Sequence, residues 1–394
     1  MLCACWATVA SASAQIGPDG YVSLTIDALP NAPRTSTELR ARLFASETVK
    51  PREGLTLHVG GFVEGLLGDR DRPETVRDAI VQPQEIYLEL AAPHSDLRLG
   101  YSRIVWGTLD EIQPMDVVNP LDLARFVFEG RSEARLPVAM ARGRVFFGER
   151  ATAEAILVPW FRRGRFDQLD EPSSPFNLEA DAEPPIVVEI DEPGAAIGNL
   201  QGGGRFSATT GRVDWSLGAY RGFRPFGSYE LLPFVPGQRL RAVRTFPRYT
   251  MIGGSFETAA GDWGWRGEIA ATRGSDPETV DAGVGFDRGA GKYRFSGSVV
   301  VHRDTTDPYT SLSLVVAADR TFRQQRYRTR SFVVYNATEE VVFARNITAV
   351  ELRNNLALEG SVGWFFGSPD AGGRDVIASL ADRDFVYVRM KVHF

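Results

Sequence analysis

Residues 384–394 read DFVYVRMKVHF. Val386, Val388, Met390, Val392 and Phe394 share one parity, and Tyr387, Arg389, Lys391 and His393 share the other. A period of two marks a β-strand with one apolar and one polar face. Chain ends usually fray, so a strand this regular predicts that it is paired, with Val386 to Phe394 on an apolar side and Tyr387 to His393 on a polar one.

The same pattern recurs along the chain. Val22, Leu24, Ile26 and Ala28 alternate with Tyr21, Ser23, Thr25 and Asp27, and Leu39, Ala41, Leu43 and Ala45 oppose Arg40 and Arg42. Tyr293, Phe295, Gly297, Val299 and Val301 oppose Arg294, Ser296, Ser298 and His302. No amphipathic helix of three turns interrupts these runs. The connections are of two kinds. Short turns such as KPREG (50–54), PHSD (93–96), AAGD (259–262) and RNN (353–355) alternate with longer Pro/Gly/Asp-rich stretches at 68–82, 107–137, 162–200, 223–247 and 367–382. Tight turns at one end and long loops at the other are the connectivity of an up-and-down barrel in an outer membrane. Strands counted from about residue 55 number sixteen, and the patterned segments near 20–29 and 36–48 raise the number to eighteen, the preferred reading. Both counts are even, which places both termini on the periplasmic side.

The expected fold is therefore all-β: a transmembrane, up-and-down antiparallel β-barrel filling residues 15–394 as a single domain. Soluble sandwiches built from so many one-faced strands would need several domains, and no linker-like change of composition marks a boundary. Closure removes every edge and asks only for an apolar outer band.

Composition agrees. The 394 residues carry a formal charge of −6, which argues against nucleic acid as a partner. Past residue 14 no apolar run approaches the roughly 20 residues of a spanning helix, whereas a barrel strand carries only about ten alternating residues. Cys3 and Cys5 lie at the very start and the rest of the chain is thiol-free, which suits an oxidising compartment. Residues 1–14 end on Ala12-Ser13-Ala14, a small-x-small cleavage pattern, and are expected to be a secretory signal peptide. They lack a basic n-region, as they would if the true translation start lay upstream of Met1.

The segment DFVYVRMKVHF resembles the C-terminal signature of Gram-negative outer-membrane β-barrels, an alternating last strand that ends in Phe. The resemblance implies an outer-membrane location and an assembly signal, carried by Tyr387 and Phe394, that the barrel-assembly machinery reads. Residues 98–130, RLGYSRIVWGTLDEIQPMDVVNPLDLARFVFEG, resemble large porin-like families in which a Trp-Gly runs into a VNPxD loop. Here those positions are Trp106-Gly107 and Val118-Asn119-Pro120-Leu121-Asp122; alginate-export-type barrels have a comparable architecture. The implied function is a porin-like channel for passive passage of small hydrophilic solutes or for export of a polymer. A loop-plugged structural or surface-interaction barrel is the contrasting reading. An outer-membrane enzyme has least support, because the four histidines are scattered and neither HExxH nor G-x-S-x-G occurs. No metal or cofactor is expected.

The 107–137 stretch carries Asp110, Glu111, Asp116 and Asp122, then Arg125, Arg131 and Arg135. It is expected to fold into the lumen as a constriction with acids and bases opposed across the pore, where they set a transverse field that selects permeants. The plainer alternative is an external loop whose charges pair locally and face water. Strand parity turns Arg98, Arg294, Glu359, Arg389 and Lys391 toward the lumen. The 162–200 and 223–247 stretches are expected as long extracellular loops. Their arginines, among them Arg162, Arg165, Arg224 and Arg248, suit an anionic solute or the phosphates of lipopolysaccharide, or simply a solvated surface. Trp106, Trp160, Phe161, Trp263, Trp265, Phe365 and Phe366 fall near strand ends, where interfacial girdles lie. The expected partners are outer-membrane lipid, lipopolysaccharide, the assembly machinery and a small solute; monomer and homo-oligomer both stand.

Overall fold

Strands that are apolar on one side need an apolar environment for that side and a backbone partner along each edge. A closed ring in hydrocarbon supplies both. The computed structural model describes residues 19–31, 35–70, 76–165, 186–233, 239–274, 277–307, 309–323, 326–367, 377, 380–381 and 383–394. The segment read as a signal peptide, 1–14, lies outside the described residues.

Eighteen strands form one continuous antiparallel sheet. It starts with β1 (Asp19–Ala28), β2 (Thr35–Arg52), β3 (Leu55–Arg70), β4 (Val76–Ala92), β5 (Ser95–Ser102), β6 (Val138–Phe147) and β7 (Ala151–Val158), and it finishes with the closing strand Phe385–His393. The closing strand pairs with β1, Tyr21 opposite His393 and Ile26 opposite Val388. Gly20 and Phe394 exchange backbone hydrogen bonds of 3.2 and 3.1 Å, which extends the seam to its end. The eighteen-strand, up-and-down barrel expected from the alternation is the observed fold, and the sixteen-strand alternative falls because both N-terminal segments belong to the wall.

The wall is inverted relative to a water-soluble barrel. Val22, Leu24, Ile26, Val386, Val388, Met390 and Phe394 are exposed outward, while Ser23, Thr25, Asp27, Arg40 and Arg389 are buried inside. Exposed aliphatics around buried charges are stable where hydrocarbon surrounds the outer band, and the chain is an outer-membrane, multi-pass β-barrel. Among the described residues no helix is long and apolar enough to cross a membrane; the strands do so. Replacing Val388, 51% exposed near the middle of its strand, with arginine should therefore cost about 2–4 kcal/mol, the penalty for a guanidinium at the bilayer midplane. Urea titration of the barrel folded into vesicles reads this directly, and His393→Arg, on the opposite parity, should leave the midpoint nearly unmoved.

Turns at 53–54, 93–94, 148–150, 211–212, 261–262, 291–292 and 354–355 lie at the end that holds both described termini. Gly211 and Gly261 take the left-handed conformation, φ 64° and 62°, that such tight reversals need. The described parts of the longer connections lie at the other end, most of the stretch 367–382 being outside the described residues, and two expectations change there. β3 and β4 run for 16 and 17 residues, so most of the stretch 68–82 is strand rather than loop. Within 162–200 and 223–247, Ile186–Asp191 pairs in parallel with Leu240–Thr245, which pairs antiparallel with Ser228–Leu231. These stretches thus carry a three-stranded sheet of their own.

Two of the girdle assignments are also corrected. Trp160, Trp265 and Phe366 are exposed, but Trp106 and Phe365 turn inside and are buried. The Trp106 indole N–H donates to Glu154 Oε1 at 2.7 Å, and Phe365 stacks on Phe343 with ring centroids 4.5 Å apart. Both rings find partners in the interior that lipid does not offer.

Candidate functional site: the segment inside the barrel

The longest described connection, from β5 to β6, does not leave the barrel. Its neck is closed by Asn119, whose Oδ1 accepts from Ile104 N–H at 2.8 Å while its Nδ2 donates to the carbonyls of Ser102, at 3.1 Å, and Leu136, at 2.9 Å. One amide thus ties the outgoing chain to the returning chain. Asp122, at the other end of the VVNPLD motif, caps the short helix Leu123–Glu129 by accepting from Arg125 N–H at 3.0 Å. The helix stops at Gly130, φ 88°, and the chain returns through Arg131–Ala134.

Backbone and side chains then fasten this segment to widely separated parts of the wall. On one side Glu129 meets Arg42 of β2 at 2.8 Å and Arg389 of the closing strand at 3.1 Å, while Arg125 meets Glu64 of β3 at 2.8 Å. Arg345 donates to the carbonyl of Phe128. On the other side Glu268, on Trp263–Arg273, accepts from the amides of Thr108, Leu109 and Met115, and Arg266 pairs with Asp110 at 3.0 Å. Arg330, on Tyr327–Asn336, pairs with Glu111 at 3.2 Å. β3 and Trp263–Arg273 are the third and eleventh of the eighteen barrel strands, nearly opposite in the ring. The segment therefore crosses the lumen.

Apolar packing reinforces the crossing. Trp106, Met115 and Val118 bury against Tyr220, Tyr249 and Met251 of the wall. Val127 and Phe128 bury against Phe332, Phe343, Phe385 and Tyr387. Wall glycines make room for it: a Cβ on Gly283 would sit 2.7 Å from Leu109 Cδ1, and one on Gly253 3.2 Å from Met115 Cγ. The lumen face is thus apolar where the segment seats and polar elsewhere, an arrangement that alternation alone does not reveal.

The charged residues read from the sequence are all inside, but they are matched in pairs. Asp116 holds both Arg131, at 3.2 Å, and Arg135, at 2.7 Å. Asp122 has Arg125 and Arg165 within 3.6 and 3.8 Å, and burial pushes its carboxyl up to about 6 against their pull. Burial also raises Glu111, opposed by Arg330. Burial acts upward on Glu129 too, yet Arg42, Arg389 and Arg125 outweigh it and hold the carboxyl well below the usual range. Glu129 is therefore a carboxylate at neutral pH, the hub of three guanidiniums.

The residues assigned to the lumen by parity are spread along it. Arg98 pairs with Glu89 at 2.6 Å and lies 3.9 Å over the Tyr87 ring. Glu359 and Arg389 stand 3.5 Å apart, and Lys391 lies 4.5 Å from the centre of the Tyr21 ring. Arg294, 61% exposed and paired with Asp287, sits near a short turn at the rim. Tyr387 is buried and donates to Glu359 at 2.7 Å, whereas Phe394 is 58% exposed on the outer side. Glu64, Arg42, Arg345 and Glu268 escaped the sequence reading as site residues. Strand parity turned Arg42 inward, but nothing local distinguishes a wall charge that meets the segment from one that meets water.

The sequence pattern of a family described as "Protein of unknown function (DUF1302)" matches residues 88–321, which contain the whole lumenal segment. No curated protein matches the chain in sequence. Among solved structures, OccK5 (OpdH) of Pseudomonas aeruginosa is similar with a TM-score of 0.54 at 10% identity, covering 96% of each chain. An anion-selective porin from Comamonas acidovorans aligns at a TM-score of 0.47 and 13% identity over 96% of this chain and 99% of its own. A mutant Rh. blastica porin aligns at 0.45 and 10% over 96% and 100%.

Proposed function

The chain belongs to the family described as protein of unknown function DUF1302, and from that premise we propose that it is an outer-membrane channel for small hydrophilic solutes. Residues 107–137 are its constriction. The observation that carries this reading is the tethering of one segment to nearly opposite walls, through Glu129 on one side and Glu268 on the other. Asp110, Glu111, Asp116, Asp122, Arg125, Arg131 and Arg135 act in it chiefly as fasteners, because their charges are spent on one another and on the wall. Selection is then by size and by local contacts more than by a field between opposed charges. Arg98, Arg294, Glu359, Arg389 and Lys391 keep the remaining path hydrated. A polymer would have to displace the helix and both apolar clusters, so small solutes are favoured over polymer export.

A loop-plugged barrel is the second reading, favoured by the density of ion pairs around Glu129 and Asp116. In that case the three-stranded sheet beyond the wall would meet a partner. For assembly, the outward-facing Phe394 is the part of the closing strand available to the assembly machinery once the barrel has folded, since Tyr387 is engaged inside.

Liposome swelling separates the two readings. A channel gives swelling with small sugars and amino acids that declines as solute size grows. Folded barrels that give no swelling with any solute would remove the channel and leave the plug.

A further inference from the structure

Between the lumenal helix and the end of the wall that carries the short turns, the interior holds a cavity of about 300 Å³. Its lining brings five cations, Arg42, Arg103, Arg345, Arg389 and Lys391, against three carboxylates, Glu129, Glu133 and Glu359. Two of those carboxylates are already taken: Glu129 by Arg42 and Arg389, and Glu359 by the Tyr387 hydroxyl and Arg389. Three cations are left without an ion pair among the described residues: Arg103, which donates to the Ser132 carbonyl at 3.2 Å, and Arg345 and Lys391. Arg345, 2% exposed, donates to Ser361 Oγ at 3.0 Å, to the Tyr387 hydroxyl at 2.9 Å and to the Phe128 carbonyl. Its Nη1 has no hydrogen-bond partner, and no carboxylate lies within ion-pair distance among the described residues. Among the described residues Lys391 has no ion pair, and its ammonium lies 4.5 Å from the centre of the Tyr21 ring.

Keeping a guanidinium buried without a counter-charge is costly, and an ionisable group kept at membrane depth marks a functional site. The rest of the lining is aromatic and flat: Tyr21 and Phe44 stack with centroids 5.3 Å apart, and Phe128 and Tyr387 face the same cavity. We propose that this cavity binds a small organic carboxylate with a flat, apolar body. Its carboxylate takes the ammonium of Lys391, within the field of the enclosed Arg345 guanidinium behind the cavity wall, and its body lies against the rings. Inorganic phosphate offers the charge but nothing for the aromatic walls. The proposal deepens the channel reading by naming a solute class, and it rests on that reading for its role in permeation, though not for binding.

The test is calorimetric titration of the full barrel in detergent, with benzoate as probe and benzamide and inorganic phosphate as comparators. Benzoate is expected to bind, with benzamide and phosphate much weaker. Lys391→Gln, at a side chain that holds no other element in place, should weaken benzoate about tenfold, the equivalent of one charge-assisted hydrogen bond. Arg345→Gln, which removes the charge behind the cavity wall, should weaken binding as well, and Arg345→Lys, which keeps that charge, should restore part of it. Equal binding of benzoate and benzamide, phosphate as tight as benzoate, no benzoate binding, or an unchanged Lys391→Gln each overturns the site. Planar-bilayer current keeps the two ideas apart: binding without current removes the channel and keeps the site, and current without binding does the reverse.

Discussion

Replacing residues 107–137 with a short glycine–serine turn should raise single-channel conductance several-fold. Ser102 and Val138 are paired partners at the ends of β5 and β6, so a short turn rejoins the wall without altering its register. The change removes the helix Leu123–Glu129, the interior contacts of Met115 and Phe128, and every ion pair through which the segment crosses the lumen. The apolar wall residues they cover, Tyr220, Tyr249 and Met251 on one side and Phe332 and Phe343 on the other, become wet, so the variant should also be less stable. Heat-dependent migration on gels shows whether the barrel still closes. A folded variant with the wild-type current would exclude the segment as the constriction.

Glu129→Gln should have the second-largest effect. Glu129 is buried, with its carboxylate shared by Arg42, Arg389 and Arg125. Removing the charge leaves three guanidiniums with Glu64, Glu359 and Asp122 as their remaining carboxylate partners among the described residues. Breaking a buried pair of this kind costs about 3–5 kcal/mol, mostly the penalty of the charge left behind. The loss should fall on the segment rather than on the wall, because the wall keeps its ladder of backbone hydrogen bonds. Amide exchange at residues 123–129 should therefore accelerate while the barrel strands stay protected, and the channel current should become noisier. In a double-mutant cycle, Arg42→Met combined with Glu129→Gln should cost less than the sum of the singles, since each removes the charge that the other strands. Simple additivity would mean that the pair is not coupled.

The wall was legible because its information is local. Alternation at Val386–Phe394 and Val22–Ala28 assigns a face to each residue without knowledge of any partner, and short turns against long connections give the topology. The interior was legible only in part. The pattern around Trp106-Gly107 and Val118–Asp122 pointed to an ordered segment, and its charges suited a lumenal constriction while leaving an external loop open. What it touches depends on contacts such as Leu109 with Glu268, 159 positions apart. No periodicity encodes those. Trp106 and Phe365 failed as girdle residues for the same reason: an aromatic near a strand end looks alike whether lipid or a lumenal partner receives it. The apolar patches inside the barrel escaped because both faces of a strand become apolar where an internal segment seats, and alternation then loses its contrast.

Planar-bilayer recording of the refolded wild-type protein distinguishes a narrowed pore from a sealed or an unobstructed one. A narrowed pore gives a small, steady, discrete conductance in potassium chloride, well below that of the barrel lacking residues 107–137. A folded barrel that passes no current, or one whose current equals that of the deletion, would contradict it.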